Sequence, residues 1–282
     1  MSPCRMVFRR PFRRAVPRLL LAGLLLAAPL AMLSAADGHA AERNPLPCHA
    51  PDALLDLGQP LPRLAARLAR HEAVTVVALG SSSTGGAGAS SPEHSYTAQL
   101  ERLWPQVLGG GPVKMLNRGI NGQDIDEMEK RLRADVIDHK PDLVLWQLGT
   151  NAVLRSQGVM RYRDRIAAGI AELKAAGTDV VLIDLQYAPR VLADPDWKTM
   201  QIILRDVAAE NGVALFRRFA TMKAWVKSGQ LRQTDILSPD GLHQNDLGYL
   251  CWADHLARAL ARSAGVAARR PEAAEMPVSR KN

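Results

Sequence analysis

Apolar and polar positions are segregated into blocks along this chain. Five short runs are apolar and rich in branched residues: Val74–Leu79, Val113–Asn117, Leu143–Leu148, Val180–Leu185 and Val213–Phe216. Runs of that length, bounded by Gly, Pro or Asn, predict strands buried on both faces. Between them the apolar spacing predicts helices over Tyr96–Leu103, Asp124–Ile137, Met160–Ala176, Asp196–Asn211 and Phe219–Ser228, with a last one from about Asp246 to Arg262. In Asp124–Ile137, for example, Ile125, Met128, Leu132 and Val136 share one side. Gly177 and the pair Asn211-Gly212 supply helix stops. Strands alternating with helices, without an internal repeat, predict one α/β domain: a five-stranded parallel sheet in a three-layer α/β/α sandwich.

The flanks read differently. Residues 1–40 carry six arginines, ending at Arg18, then an apolar run from Leu19 to Leu33, then small residues offering cleavage after Ala36 or Ala40. That is the order of a cleaved export signal, and Arg9-Arg10-Pro11-Phe12 has weak twin-arginine character. The apolar run is shorter than a spanning helix needs and Pro29 interrupts it, so an uncleaved anchor fits less well. Residues 41–72 predict an extended lead-in and short helices interrupted by Pro60 and Pro62, residues 73–262 the domain, and residues 263–282 a disordered tail. The expected location is periplasmic or secreted, with no stable membrane insertion after cleavage.

Charge alters the picture little. The formal net charge is +8, of which residues 1–40 supply six Arg less Asp37, or +5; residues 41–282 keep +3. No basic stripe with interleaved aromatics exists, so a nucleic-acid partner is not expected. Once Cys4 leaves with the signal, Cys48 and Cys251 form an even pair in an oxidising compartment. The expectation is a disulfide tying the lead-in to the last helix; two unpaired buried thiols are the alternative.

Candidate chemistry gathers just beyond the strands, where open α/β sheets bind ligands. Strand one runs into Gly80-Ser81-Ser82-Ser83-Thr84, strand two into Arg118-Gly119-Ile120-Asn121-Gly122-Gln123, strand three into Gly149-Thr150-Asn151. Ser238-Pro239-Asp240-Gly241-Leu242-His243 precedes the last helix. The serine run is no phosphate loop, because Gly86 and Ala87 stand where a lysine and a hydroxyl are needed. It also misses Gly-x-Ser-x-Gly, with Thr84 in the last place. Asp240-x-x-His243 has the spacing for a carboxylate to orient an imidazole that serves as base to a serine. Alone it also reads as a surface turn. Asp240, His243 and Asp246 fit no familiar metal-ligand spacing, so no metal or cofactor is expected.

Together the four segments resemble the GDSL or SGNH hydrolase family, which carries its catalytic residues in four short blocks in this order. The resemblance covers roughly residues 74–262 and implies the same three-layer, flavodoxin-like fold. It implies Ser82 as nucleophile, Asp240 and His243 as the rest of a triad, and Gly122 and Asn151 as oxyanion-hole donors. Ser81 and Ser83 are rivals for Ser82, which the motif register favours. The family usually has Asp where Ser81 and Ala152 stand. Arg118 and Gln123 are candidates for substrate contact; Trp146 and Gln147 read as sheet packing. His71, His94, His139 and His255 lack partners at diagnostic spacing and read as surface or satisfied core histidines. The implied activity is an exported serine esterase acting on an O-acetyl, lipid or thioester substrate, small or polymeric, through an acyl-enzyme. An acyltransferase to a saccharide hydroxyl and an inactive carbohydrate-binding relative are the alternatives.

Overall fold

The computed structural model describes residues 46–156 and 158–267. The expected export signal at residues 1–40 and the expected tail beyond residue 267 lie outside the described residues. A 3-10 turn (Asp52–Leu55) and α1 (Pro62–Ala69) precede the sheet, with Pro62 in the first helical turn, where its missing N–H costs nothing. Then come β1 (Val74–Gly80), α2 (Ser82–Gly85), α3 (Tyr96–Val107) and β2 (Val113–Gly119). They are followed by α4 (Ile125–Lys130), α5 (Leu132–Asp135), β3 (Leu143–Gln147) and α6 (Thr150–Leu154). Next are α7 (Tyr162–Ala175), β4 (Asp179–Ile183), α8 (Pro189–Leu192) and α9 (Asp196–Glu210). The chain ends on β5 (Ala214–Phe216), α10 (Arg218–Lys227), α11 (Gln233–Ile236) and α12 (Asp246–Ser263).

All five strands are parallel, in the order β2-β1-β3-β4-β5. Val77 of β1 sits opposite Leu116 on one side and Val144 on the other. Successive strands add to opposite sides of β1, so the topological switch point, and the crevice that goes with it, lies at the carboxyl ends of β1 and β3. The α/β/α expectation holds. β1 and β3 are buried almost throughout, and β4 nearly so. β2 departs from it: as an edge strand it is only half-buried, with Lys114 and Asn117 exposed. α3 packs along α12, and α7 packs on both α4 and α9. The core is aliphatic but pinned by four fully buried indoles, Trp104, Trp146, Trp225 and Trp252. Trp252 stacks on Tyr96 at 3.8 Å between centroids.

The helix expected over Asp124–Ile137 is broken at Arg131, which adopts φ −112°, ψ 6°. Its guanidinium donates to the Gly80 carbonyl (3.0 Å) and to Gln123 Oε1 (2.6 Å), and pairs with Asp135. Anchoring to the end of β1 overrides the helical pattern there. Cys48 and Cys251 form the expected disulfide, which fixes the lead-in to the first half of α12. Among the described residues, no helix is long and apolar enough to cross a membrane.

Candidate active site

Ser82 stands at the start of α2, the first residue past the turn that ends β1. Only a glycine fits at residue 80: a Cβ there would lie 2.1 Å from Thr84 Oγ1 and 2.8 Å from Gln147 Oε1. That closeness lets the turn fold over the buried amide of Gln147. Gln147 Oε1 accepts from the Ser81 N–H (3.0 Å), the Ser81 hydroxyl (3.1 Å) and the Thr84 hydroxyl (3.2 Å). Ser81 and Ser83 are therefore buried inside the turn, and Ser82 is the partly exposed member of the run.

The Asp240–His243 turn closes on itself. Leu237 and Gln244 form an isolated antiparallel bridge, and the Ser238 N–H donates to the His243 carbonyl (2.8 Å). Asp240 Oδ1 accepts from the Ser238 hydroxyl (2.7 Å) and the N–H groups of Leu242 (2.9 Å) and His243 (3.0 Å). Its Oδ2 lies 2.5 Å from His243 Nδ1. Burial pushes this carboxyl up, but the hydrogen bonds from Ser238, His243 and the two amides outweigh it and hold the group well below the usual carboxylate range. A carboxylate at Nδ1 puts the ring proton there and leaves Nε2 as an acceptor. His243 Nε2 lies 2.8 Å from Ser82 Oγ, across 161 positions of sequence.

Gly122 and Asn151 sit on the neighbouring strand ends. Gly122 has φ +79°, a conformation L-residues rarely adopt, and its carbonyl accepts from Arg155 Nη2 (2.8 Å). Arg155 also pairs with Asp124 (2.5 Å), the N-cap of α4, which is buried and receives the Tyr162 hydroxyl. Asn151 Nδ2 donates one hydrogen to the Gln123 carbonyl (2.8 Å), which fixes the amide plane and leaves a second hydrogen. The side chains of Arg118 and Gln123 are otherwise engaged: Arg118 reaches His139 Nε2 (3.0 Å), and Gln123 receives Arg131. Ala152, in the other position where the family usually has Asp, is buried.

Several supporting residues had no sequence signal. Gln186, just past β4, is buried; its Oε1 accepts from the Thr150 hydroxyl and from Arg218 Nη2, both at 2.8 Å, and its Nε2 donates to the Leu242 carbonyl (3.3 Å). It thus joins the segment of Asn151 to the segment of His243. Arg218 is fully buried, bonded to the Asp184 carbonyl (2.9 Å) and placed over the Trp252 ring at 4.6 Å. Gln147 packs the sheet as expected but also shapes the serine turn. His94 is not without partners: its Nδ1 lies 2.7 Å from Ser90 Oγ and 3.2 Å from Asp246 Oδ2. Serine and carboxylate here meet the same ring nitrogen, so this second Ser-His-Asp group relays no proton; it straps the loop after α2 to the start of α12. The Tyr249 hydroxyl, donating to the Ala87 carbonyl (2.7 Å), adds to the strap. His255 is buried, with Arg258 Nη2 3.4 Å from its Nδ1 and no hydrogen-bond partner for Nε2 among the described residues, and burial pushes it down to about 3.

Residues 47–266 match the Non-GDSL lipase-like family. An acetylxylan esterase of Xylanibacter ruminicola is 26% identical over 238 residues, covering 73% of this chain and 47% of that protein. An arylesterase of Vibrio mimicus is 29% identical over 100 residues, 33% of this chain and 50% of that one. The chain spans about half the length of these curated relatives. Among solved structures, a two-domain esterase active on acetylated mannans superposes with a TM-score of 0.62 at 20% identity, over 73% of this chain and 54% of that chain. An acetylxylan esterase from Geobacillus stearothermophilus superposes with a TM-score of 0.56 at 20% identity, over 69% and 95%. At these identities the superpositions establish the shared fold. With Ser81 in place of the motif aspartate and the family match spanning most of its length, the chain belongs to the Non-GDSL lipase-like family of GDSL/SGNH-like hydrolases.

Proposed function

We propose that this protein is an exported serine esterase that cleaves carboxylic esters through an acyl-enzyme. The observation that carries the reading is the line Asp240 Oδ2, His243 Nδ1, His243 Nε2, Ser82 Oγ, with spacings of 2.5 and 2.8 Å at its two hydrogen bonds. Ser82 Oγ attacks the ester carbonyl while His243 Nε2 takes its proton. The imidazolium so formed is stabilised by Asp240, which stays ionised. The oxyanion is met by the N–H of Ser82, an unpaired donor at the first turn of α2, by the N–H of Gly122 and by the free hydrogen of the Asn151 amide. His243 then protonates the departing alcohol, and a water activated by the same nitrogen releases the acid. No step calls for a metal or a cofactor. The likeness to acetylxylan esterases and to an esterase active on acetylated mannans supports acetyl esters of polysaccharides as the substrate class. The buried Cys48–Cys251 disulfide and the signal-like residues 1–40 support an extracytoplasmic site of action.

The test is labelling of the purified mature protein with a fluorophosphonate, alongside turnover of p-nitrophenyl acetate. Wild type is expected to label and turn over, and Ser82→Ala to do neither. Labelling that persists in Ser82→Ala assigns the nucleophile elsewhere.

A further inference from the structure

Beyond the Ser82 site, a groove of about 340 Å³ runs between α9 and the junction of β5 with α10. Trp197, Lys198, Ile202, Arg205, Arg217 and Asp184 line it. It continues along the edge of β5 into a second hollow of about 310 Å³ that shares Arg205 and Arg217. Three features of its chemistry point the same way.

The first is charge. In the first hollow three cations, Lys198, Arg205 and Arg217, face one acid, Asp184; Asp56 lines the second. Arg205 is paired with Asp206 (2.8 Å), but Arg217 gives Nη2 to the backbone carbonyls of Ala53 and Asp56, which leave its charge uncancelled. Lys198 stands beside the Trp197 ring, its Nζ 5.7 Å from the centroid, and makes no ion pair among the described residues. Asp184 is buried and its Oδ1 is taken by the Phe219 N–H (2.9 Å). Burial pushes it up to about 7, despite the Phe219 bond and the two arginines, so it is only partly ionised at neutral pH and offsets only part of the positive charge. The second is an aromatic row. Trp197 stacks on Phe219 (4.8 Å, 19°), which meets Tyr187 edge-on (5.2 Å). Trp197 and Tyr187 are partly exposed, and Ile202 is 49% exposed.

The third is continuity with the nucleophile. Tyr187 follows Gln186, which holds the Leu242 carbonyl, and the Arg190 N–H donates to the Gly241 carbonyl (3.3 Å). The aromatic row therefore starts at the turn that carries His243. β4 and β5 lie two and three strands from β1, so at ordinary strand spacing their carboxyl ends, where Asp184 and Arg217 stand, are about 10–15 Å from that of β1. An oligosaccharide spans that distance; an aryl acetate does not.

We propose that this groove is a subsite for an anionic oligosaccharide, a chain of sugars bearing carboxylates. Indole and aliphatic surface take the C–H faces of the sugars, Lys198 and Arg217 take the carboxylates, and Gln201, which also lines the groove, takes hydroxyls. Its role as the alcohol-side subsite of an ester rests on the esterase reading; the binding itself does not.

Trp197 reports on the site directly, because the other four tryptophans are fully buried. Tetragalacturonate titrated into the full mature protein is expected to change the fluorescence, with affinity falling as salt rises. Lys198→Glu weakens binding about tenfold or more, and Trp197→Ala, read by calorimetry, does likewise. Both variants keep wild-type turnover of p-nitrophenyl acetate. On an acetylated polyuronate they raise KM and leave kcat unchanged. Xylotetraose binding as tightly as tetragalacturonate overturns the proposal. So does polyglutamate or single-stranded DNA matching the uronate, since that is charge without recognition of a sugar chain. A wild type that binds the uronate but never turns over p-nitrophenyl acetate sinks the esterase reading and leaves the subsite standing.

Discussion

Gly88 lies against the base of the imidazole: a Cβ built on it would sit 2.8 Å from His243 Cβ and 2.5 Å from the Gln244 carbonyl oxygen. The loop that leaves the serine turn thus backs the element that carries His243. Gly88 also has φ +90°, so a side chain there is strained as well as crowded. Gly88→Ala is expected to push His243 off Ser82 and cut kcat on p-nitrophenyl acetate about tenfold or more, with KM little changed. Gly58→Ala is the control. It has φ +78° but nothing within 4 Å, so it carries the backbone strain, about 1 kcal/mol, without the loss of rate. Equal kcat in both variants removes the contact from the mechanism.

Gln147 makes a sharper claim about positioning. Its Oε1 accepts three hydrogen bonds from the serine turn, and its Nε2 is buried with no partner among the described residues. Gln147→Glu keeps the acceptor; Gln147→Leu strands two hydroxyls and an N–H. The leucine variant is expected to lose about a hundredfold in kcat and in the rate of fluorophosphonate labelling, the size of effect that a displacement of about 1 Å produces. The glutamate variant should recover most of it. Equal losses in both make Gln147 a packing residue only.

Asn151→Ala tests the oxyanion assignment by magnitude. Removing one such donor costs about 3 kcal/mol in the transition state, a hundredfold or more in kcat. Ser82→Ala removes the proposed nucleophile outright. The expected order is therefore measurable residual turnover for Asn151→Ala and none above background for Ser82→Ala. An Asn151→Ala enzyme at full rate places the oxyanion elsewhere.

The Cys48–Cys251 bond closes a loop of 203 positions. Chain-entropy arithmetic for a loop that long gives about 5 kcal/mol, and measured bridges more often give 2–4. Cys48→Ser with Cys251→Ser is expected to lower Tm by roughly 10 °C for a domain of this size. Calorimetry of the double variant against wild type, with and without reductant, checks it; a reductant-insensitive wild-type Tm argues that the bond does not form.

The strands were legible because β1, β3 and β4 are buried on both faces, which leaves unbroken apolar runs such as Val74–Leu79. The Ser82, Asn151 and His243 segments were legible because each begins or ends on a turn with Gly, Pro or Asn in fixed places. Gln147 and Gln186 were not, because a lone amide after an apolar strand has no periodicity and its partners lie 32 to 66 positions away. Arg218 in Arg217-Arg218-Phe219 reads as a solvated basic pair, and only the packing of Trp252 and the Asp184 carbonyl shows that it is interior. The break at Arg131 was hidden for the same reason: its cause is the carbonyl of Gly80, 51 positions earlier.

Asp184 predicts a pH dependence of stability that runs against the usual acid-denaturation slope. Burial pushes its carboxyl up to about 7, only partly offset by the Phe219 N–H and by Arg218 and Arg217. In the unfolded chain the group returns to about 3.9. Between those values the folded protein binds the extra proton, so this group's contribution falls as pH rises from about 4 to 7 and is flat beyond. The total at stake is on the order of a few kcal/mol. Asp184→Asn cannot ionise and still offers Phe219 an acceptor. Urea unfolding at pH 5 and pH 8 should therefore show the variant gaining on wild type between the two conditions. A difference between the proteins that stays constant, or that moves in wild type's favour at pH 8, means the Arg218 charge holds Asp184 ionised throughout.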